Sequence, residues 1–192
     1  MSELAIRRMT LAQFLRWEDG TDRRYELIGG LPMAMAPPAR ARGMLCVRLG
    51  GMIDVGLRSR QSCSVQTEAG IVRPGRNDTF YVADLAVTCS PYRRGEQLLK
   101  DPILIVEILS PGTEKHDRQV KVPAYRDIGS VNEILLIDSE SIYAEIFRRE
   151  GGRWITELVQ RRDVSLRLSS VDLQIAMAEL YDGIDLEAEN AA

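Results

Sequence analysis

The chain has 192 residues and a formal charge of −3, which excludes a globally basic nucleic-acid binder and leaves any such contact to a local patch. The length fits one domain with a real hydrophobic core, taken as 1–192, with a frayed Glu- and Ala-rich tail over 185–192. One histidine and three cysteines (Cys46, Cys63 and Cys89) in no metal-ligand spacing argue against structural zinc.

The cysteines read as small buried residues of a reducing compartment. Met1 to Arg8 holds no apolar stretch of signal-peptide length, and no run reaches membrane-spanning length. A soluble, cytoplasmic protein with no membrane contact is expected.

In chain order, Thr10 is a candidate cap for a short helix, Leu11 to Trp17. Arg24 to Ile28 and Leu31 to Ala36 are strand-like around Gly29-Gly30, a hairpin turn. Pro37-Pro38 ends the second strand. Ala41 to Arg58 has helical spacing, with Leu45, Leu49, Met52 and Ile53 on one side, although Gly50-Gly51 weakens it. Ser62 to Thr67, Gly70 to Arg73, Phe80 to Thr88 and Ile103 to Leu109 follow as strands. Glu114 to Ile128 reads as a helix kinked or restarted at Pro123 and capped by Gly129. Glu133 to Asp138 is a buried strand, and Ile142 to Arg148 with Arg153 to Gln160 form a hairpin around Gly151-Gly152. This order predicts an α/β sandwich on a mixed central β-sheet flanked by helices, with additional β-hairpins.

Two of these strands carry a carboxylate among aliphatic residues: Asp84 in Phe80–Thr88 and Glu107 in Pro102–Pro111. A carboxylate so placed loses hydration and needs a partner. Each could be satisfied by an arginine or a backbone N–H. Two together, in neighbouring strands, point instead to a shared hard cation such as Mg²⁺, with Mn²⁺ as substitute. Alternation puts Ile103, Ile105, Glu107 and Leu109 on one face, and Val82, Asp84 and Ala86 on one face of the other strand. Asp117, Lys121 and Tyr125 recur at i, i+4 and i+8, along one side of the next helix. Asp117–Lys121 is either a surface pair or part of a site at the end of the Glu107 strand.

At these residues the chain resembles the Uma-two restriction endonuclease family of the PD-(D/E)XK nuclease superfamily. The resemblance is carried by Arg24-Tyr-Glu-Leu-Ile-Gly-Gly30, Tyr81-Val-Ala-Asp-Leu-Ala-Val87, Ile105-Val-Glu-Ile-Leu-Ser-Pro-Gly-Thr113 and Asp117-Arg-Gln-Val-Lys-Val-Pro-Ala-Tyr125, closing with Glu133-Ile-Leu-Leu-Ile-Asp138. It implies a restriction-endonuclease-like core acting on DNA, with Asp84 and Glu107 as metal ligands. Lys121 would be the catalytic lysine, Glu26 a further acid of the site, and Asp117 and Tyr125 its support. Glu26 also reads as a solvent-facing strand residue. Leu109 holds the superfamily's usual lysine position, Ala83 replaces the usual proline, and Arg42 stands where relatives commonly carry histidine. Arg42 can bind a phosphate directly, as can Arg40.

Arg40, Arg42, Arg48, Arg58 and Arg60 fall around one helix, as a backbone-binding surface or as a solvated face. Arg93-Arg94 is a phosphate-contact candidate in a loop. His116 reads as a surface residue, so His116→Ala is expected to leave activity nearly unchanged. Ser110 and Thr113 read as helix caps. Lys121→Ala is expected to lose most turnover while preserving the fold. The leading expectation is a Mg²⁺-dependent DNA endonuclease, as a homodimer if both strands of a two-fold duplex are cut. A catalytically silent nucleic-acid-binding module, and an oligomeric scaffold using the hairpins after Asp138, are the alternatives.

Overall fold

The computed structural model describes residues 8–37, 39–60 and 62–186. Pro38, almost all of the Met1 to Arg8 stretch and the tail beyond residue 186 lie outside the described residues, so the tail's expected fraying is not addressed.

Helix α1 (Leu11–Phe14) is shorter than its spacing predicted. A reciprocal Thr10–Gln13 capping box starts it. Strands β1 (Tyr25–Ile28) and β2 (Leu31–Ala34) pair antiparallel. Gly29 and Gly30 turn between them at φ +56 and +83, which a residue with a Cβ rarely adopts. Helix α2 (Arg40–Leu57) contains Gly50 despite its low helix propensity. A Cβ there would meet Leu85 Cδ2 at 3.2 Å, so glycine lets α2 lie close against the sheet.

The central sheet has six strands in the order β3 (Ser64–Ile71), β4 (Tyr81–Thr88), β5 (Pro102–Leu109), β6 (Glu133–Asp138), β7 (Ala144–Glu150) and β8 (Arg153–Val159). Only β5 and β6 run parallel. A parallel neighbour needs a crossover, supplied by α3 (Glu114–His116), a π-helical turn at Asp117–Lys121 and α4 (Val122–Arg126). The hairpin of β9 (Ser165–Leu168) and β10 (Leu173–Ala176), then α5 (Met177–Leu180), completes the chain. The spacing of this segment predicts no element.

Each face of the sheet is buried. On one side Leu45, Leu49 and Ile53 of α2 meet Leu85, Val106, Ile108 and Leu135. On the other, Val122 and Tyr125 of α4 meet Ile105, Leu109, Ile134 and Leu136. Each fully buried Leu or Ile contributes about 1.5–3 kcal/mol, so the two layers fix the helices before any polar contact is counted.

Strands β4 and β5 pair only from Thr88↔Pro102 to Leu85↔Val106. The next step of that register would place Asp84 opposite Glu107, and there the two strands part. On the other side of β4, Glu68 adopts φ +51 at the level of Asp84. The expected alternation therefore fails in β4, while in β5 Leu104, Val106 and Ile108 do oppose Ile105 and Leu109. Leu85 and Val87 face α2, whereas Tyr81, Ala83 and Ala86 face the other layer, so Val82, Asp84 and Ala86 do not form one simple face. Ile103 likewise packs toward the α2 side, away from Ile105 and Leu109.

Other expectations are corrected locally. The strands expected over Ser62 to Thr67 and Gly70 to Arg73 merge into one shorter strand, β3, which passes through Glu68 without ending. Helix α4 ends at Arg126 with Asp127 as its cap, ahead of Gly129. Thr113 provides no side-chain cap for α3; its hydroxyl lies 3.1 Å from that of Ser110. Cys63 and Cys89 are disulfide-bonded across the β3–β4 end, and only Cys46 is free. The paired cysteines give no support to a reducing compartment. No helix among the described residues is long and apolar enough to cross a membrane.

Candidate active site

Opening a sheet strands backbone groups, which must find other partners when buried. At the β4–β5 fork those partners are side chains. Ile108 N–H donates to Asp84 Oδ2 at 2.7 Å. Val82 N–H donates to Glu26 Oε1 at 2.9 Å, and Lys121 Nζ donates to Val82 O at 3.0 Å. The residues that carry the charge of the site therefore also complete the sheet.

Lys121 sits in an oxygen cage. Its Nζ lies 3.0 Å from Glu26 Oε1, 3.2 Å from Glu107 Oε1 and 3.2 Å from Asp117 Oδ1, besides Val82 O. The π-turn stands just before Pro123, which has no N–H to donate in a regular helix. Its inward side presents Asp117 and Lys121, both buried. Burial alone pulls the Lys121 ammonium down, but Glu107, Glu26 and Asp117 outweigh it and hold it above the usual lysine value.

Glu107 is fully buried in β5, where Tyr125 Oη donates to its Oε1 at 2.6 Å. Burial pushes its carboxyl well above the usual range; Lys121 pulls it back, and Asp117 and Asp84 push it further up. Its Oε2 is buried with no hydrogen-bond partner, and so is Asp117 Oδ2. Glu133, a second buried strand acid, provides the contrast. Its Oε1 accepts from Arg148 Nε and Ser169 N–H, and its Oε2 from Ser170 N–H and Oγ. Glu133 is a fully satisfied structural carboxylate, whereas Glu107 has an oxygen to spare.

Arg42 is drawn inward rather than presented to solvent. Its Nε and Nη2 donate to Asp84 Oδ1 at 3.0 and 2.8 Å. Burial lowers the guanidinium's affinity for its proton, but Asp84 more than restores it. Arg48 and Arg60 are similarly engaged, on carbonyls of Leu180, Asp182 and Ser170. Arg48 of α2 and Arg60 just beyond it thus tie down the C-terminal segment, and Arg40 remains exposed. Arg93 and Arg94 are exposed in their loop.

A cleft of about 260 Å³ opens beside the cage. Glu26, Arg42, His116, Asp117 and Lys121 form its polar wall, and Met33 and Met35 stand among its apolar residues. Asp84 and Glu107 lie behind this wall. Glu26 is buried rather than solvent-facing, and its Oε2 lies 3.1 Å from His116 Nε2. Burial raises the Glu26 carboxyl, but His116, Lys121 and the Val82 N–H together bring it below its usual value. The surface reading of His116 is corrected: its side chain is 31% exposed, on the cleft wall. No spacing signal links His116 to Glu26, 90 positions away; the crossover alone joins them.

Among the described residues no three His, Cys, Asp or Glu side chains are arranged as a ready metal cluster. The donors nonetheless suit a hard cation that keeps several waters and needs only one or two carboxylates. Four acids (Glu26, Asp84, Glu107 and Asp117) face two permanent cations (Arg42 and Lys121). Counted as carboxylates, the four exceed the two cations by two charges, so the fork would draw a divalent cation. The unpartnered Glu107 Oε2 offers it a lone pair.

A family model described as "Putative restriction endonuclease" (Uma2) matches residues 11–178. "Uncharacterized protein slr1290" of Synechocystis sp. is 27% identical over 174 residues, covering 90% of each chain. "Uncharacterized protein sll1609" of the same organism is 24% identical over 155 residues, covering 79% of this chain and 88% of its own. The crystal structure of "a putative nuclease belonging to DUF820" from Anabaena variabilis superposes with a TM-score of 0.72 at 18% identity, covering 90% of this chain and 97% of that one. At that identity the likeness establishes the shared fold.

Proposed function

The chain belongs to the Uma2 family, and on that premise we propose that it is a divalent-metal-dependent endonuclease that hydrolyses phosphodiester bonds of DNA. The observation that carries this reading is the spare, buried Glu107 Oε2 at a fork that also gathers Asp84, Asp117 and Lys121. A purely structural acid such as Glu133 leaves no oxygen free.

Asp84 and Glu107 would hold Mg²⁺ or Mn²⁺. Such an ion supplies Lewis-acid activation of water and neutralises charge on the phosphate. Lys121, held beside Glu107, places a compact positive charge where negative charge builds up as the phosphate is attacked. Asp117 and Tyr125 fix Lys121 and Glu107 in turn, through the contacts at 3.2 and 2.6 Å. Arg42, on the cleft wall, is the guanidinium nearest an incoming phosphate, and Arg40 is exposed at the start of the same helix. A homodimer would bring two such sites to a duplex.

Plasmid incubated with Mg²⁺, Mn²⁺ or EDTA tests the reading. Nicking is expected with either metal, none with EDTA, and none with Asp84→Asn or Glu107→Gln. Undiminished cutting by either variant would refute the ligand assignment. One observation favours a second reading. Arg42 and Lys121 already neutralise Asp84 and Glu107, and Glu107 is fully enclosed, as in a binding module that has lost cleavage. That module would bind DNA in a salt-sensitive way and leave plasmid intact in either metal.

A further inference from the structure

We propose that His116 is a catalytic acid of this site, protonating the oxygen that leaves phosphorus, with Glu26 as its positioning residue. The inference rests on the nuclease reading and adds a group to it.

Glu26 cannot turn freely. Its Oε1 is pinned by the Val82 N–H at 2.9 Å and by Lys121 at 3.0 Å. That leaves Oε2 to hold the imidazole, with Nε2 at 3.1 Å. A buried carboxylate orienting a half-exposed imidazole is the arrangement that fixes a ring for proton transfer. The second ring nitrogen, Nδ1, makes no hydrogen bond to any described residue. His116 lines the same cleft as Arg42 and Lys121, so a phosphate drawn to those cations lies beside the ring.

The other ionisable groups of the cleft do not suit the task. Arg42 keeps its proton in proteins. Lys121 faces four oxygens, three of them carboxylate, which hold its proton tightly. Glu26 is held in its ionised form by His116, Lys121 and the Val82 N–H. Asp117 is almost fully buried against Lys121. Imidazole is the side chain that exchanges protons near neutral pH.

The step balances. The oxygen of water bonds to phosphorus, and the bond from phosphorus to the bridging oxygen breaks with its electron pair left on that oxygen. The oxygen takes a proton from the imidazolium of His116, giving an alcohol and neutral imidazole. The proton lost by the attacking water passes to solvent, from which the imidazole is recharged. Water and phosphodiester become phosphomonoester and alcohol.

The test compares two oligonucleotides, one natural and one with sulfur replacing the bridging oxygen that leaves, as identified from the ends of the natural products. A thiolate leaves without needing a proton. Both are cut in Mn²⁺, which tolerates sulfur better than Mg²⁺ does. His116→Ala should slow cleavage of the natural strand by about a hundredfold or more and of the sulfur strand by less than about tenfold. His116→Gln, which keeps a donor for Glu26, should show the same split. Fluorescence anisotropy of the natural strand in EDTA should give equal affinity for both variants and the unaltered chain. Equal slowing of both strands would overturn the assignment, because His116 would then bind or support only. No slowing of either would also overturn it. Failure of the unaltered chain to cut either strand would bring down the nuclease reading, and this inference with it.

Discussion

Replacing Lys121 by methionine, which keeps the length and apolar stem, removes the one cation that touches Glu26, Glu107 and Asp117 together. Breaking a buried ion pair from one side typically costs about 3–5 kcal/mol, because an uncompensated charge stays behind. Here three carboxylates lose their shared partner, so at pH 8 the loss should lie in that range. The expectation that Lys121→Ala preserves the fold therefore holds only at reduced stability. The pH dependence has a definite sign. In the unaltered protein the raised Lys121 is fully stabilising below the ordinary lysine value of 10.5, so its contribution is constant between pH 5 and 8. Glu107 and Asp117 are raised above 4.5 and 3.8, so the stability they carry is full below those values and is lost as pH rises through their folded values. Without Lys121 both folded values rise further, and the added loss falls at higher pH. Glu26 is lowered from 4.5, so its contribution is lost only below this window. The deficit of Lys121→Met should therefore narrow from pH 8 to pH 5, by up to about 1.4 kcal/mol per pH unit for each proton taken up. Urea unfolding in EDTA, with unchanged m, measures it. A deficit under about 1 kcal/mol at pH 8, or one identical at both pH values, would refute the cage as the support of this fork.

Arg42→Gln should tighten Mn²⁺ binding by roughly threefold to tenfold, because a guanidinium charge on Asp84 opposes a cation there; weaker binding by titration calorimetry would mean that Arg42 does not hold that seat. Tyr125→Phe should cost about 1.5–3 kcal/mol in urea unfolding, the range for a hydrogen bond to a charged group. A loss below about 0.5 kcal/mol would show that the 2.6 Å contact to Glu107 carries little.

The acids of β4 and β5 were legible because each charge interrupts an otherwise continuous apolar run. The mixed sheet was legible because its strands read as short apolar or alternating runs bounded by turn residues. Where local geometry departs from the ideal period, the reading failed. Glu68 takes a left-handed conformation that β3's sequence does not advertise, and the faces of β3 and β4 change there. The π-turn keeps Asp117 and Lys121 on one side, but its widened form answers to Pro123 and to the packing behind it. The burial of Arg42 and the placing of His116 on the cleft wall were not legible, because their partners, Asp84 and Glu26, lie far away in sequence. The β9–β10 hairpin was missed because each strand spans only four residues, too few to show a period.

The fork explains why fold and site cannot be separated in this chain. A fully paired β4–β5 ladder would satisfy Val82 and Ile108 through the backbone. Parting the strands exposes those groups, and side chains able to satisfy them buried must be polar and charged. Asp84, Glu26 and Lys121 do so, and three such charges cannot be buried without further partners. Arg42, Glu107, Asp117, Tyr125 and His116 follow from that need. The network nevertheless stops one step short of closure, at Glu107 Oε2 and Asp117 Oδ2. A fold selected for stability alone would replace this network with aliphatic residues, as buried ion pairs often allow at no loss. Two oxygens left unpartnered inside a buried network are what the proposal of a cation at the fork rests on.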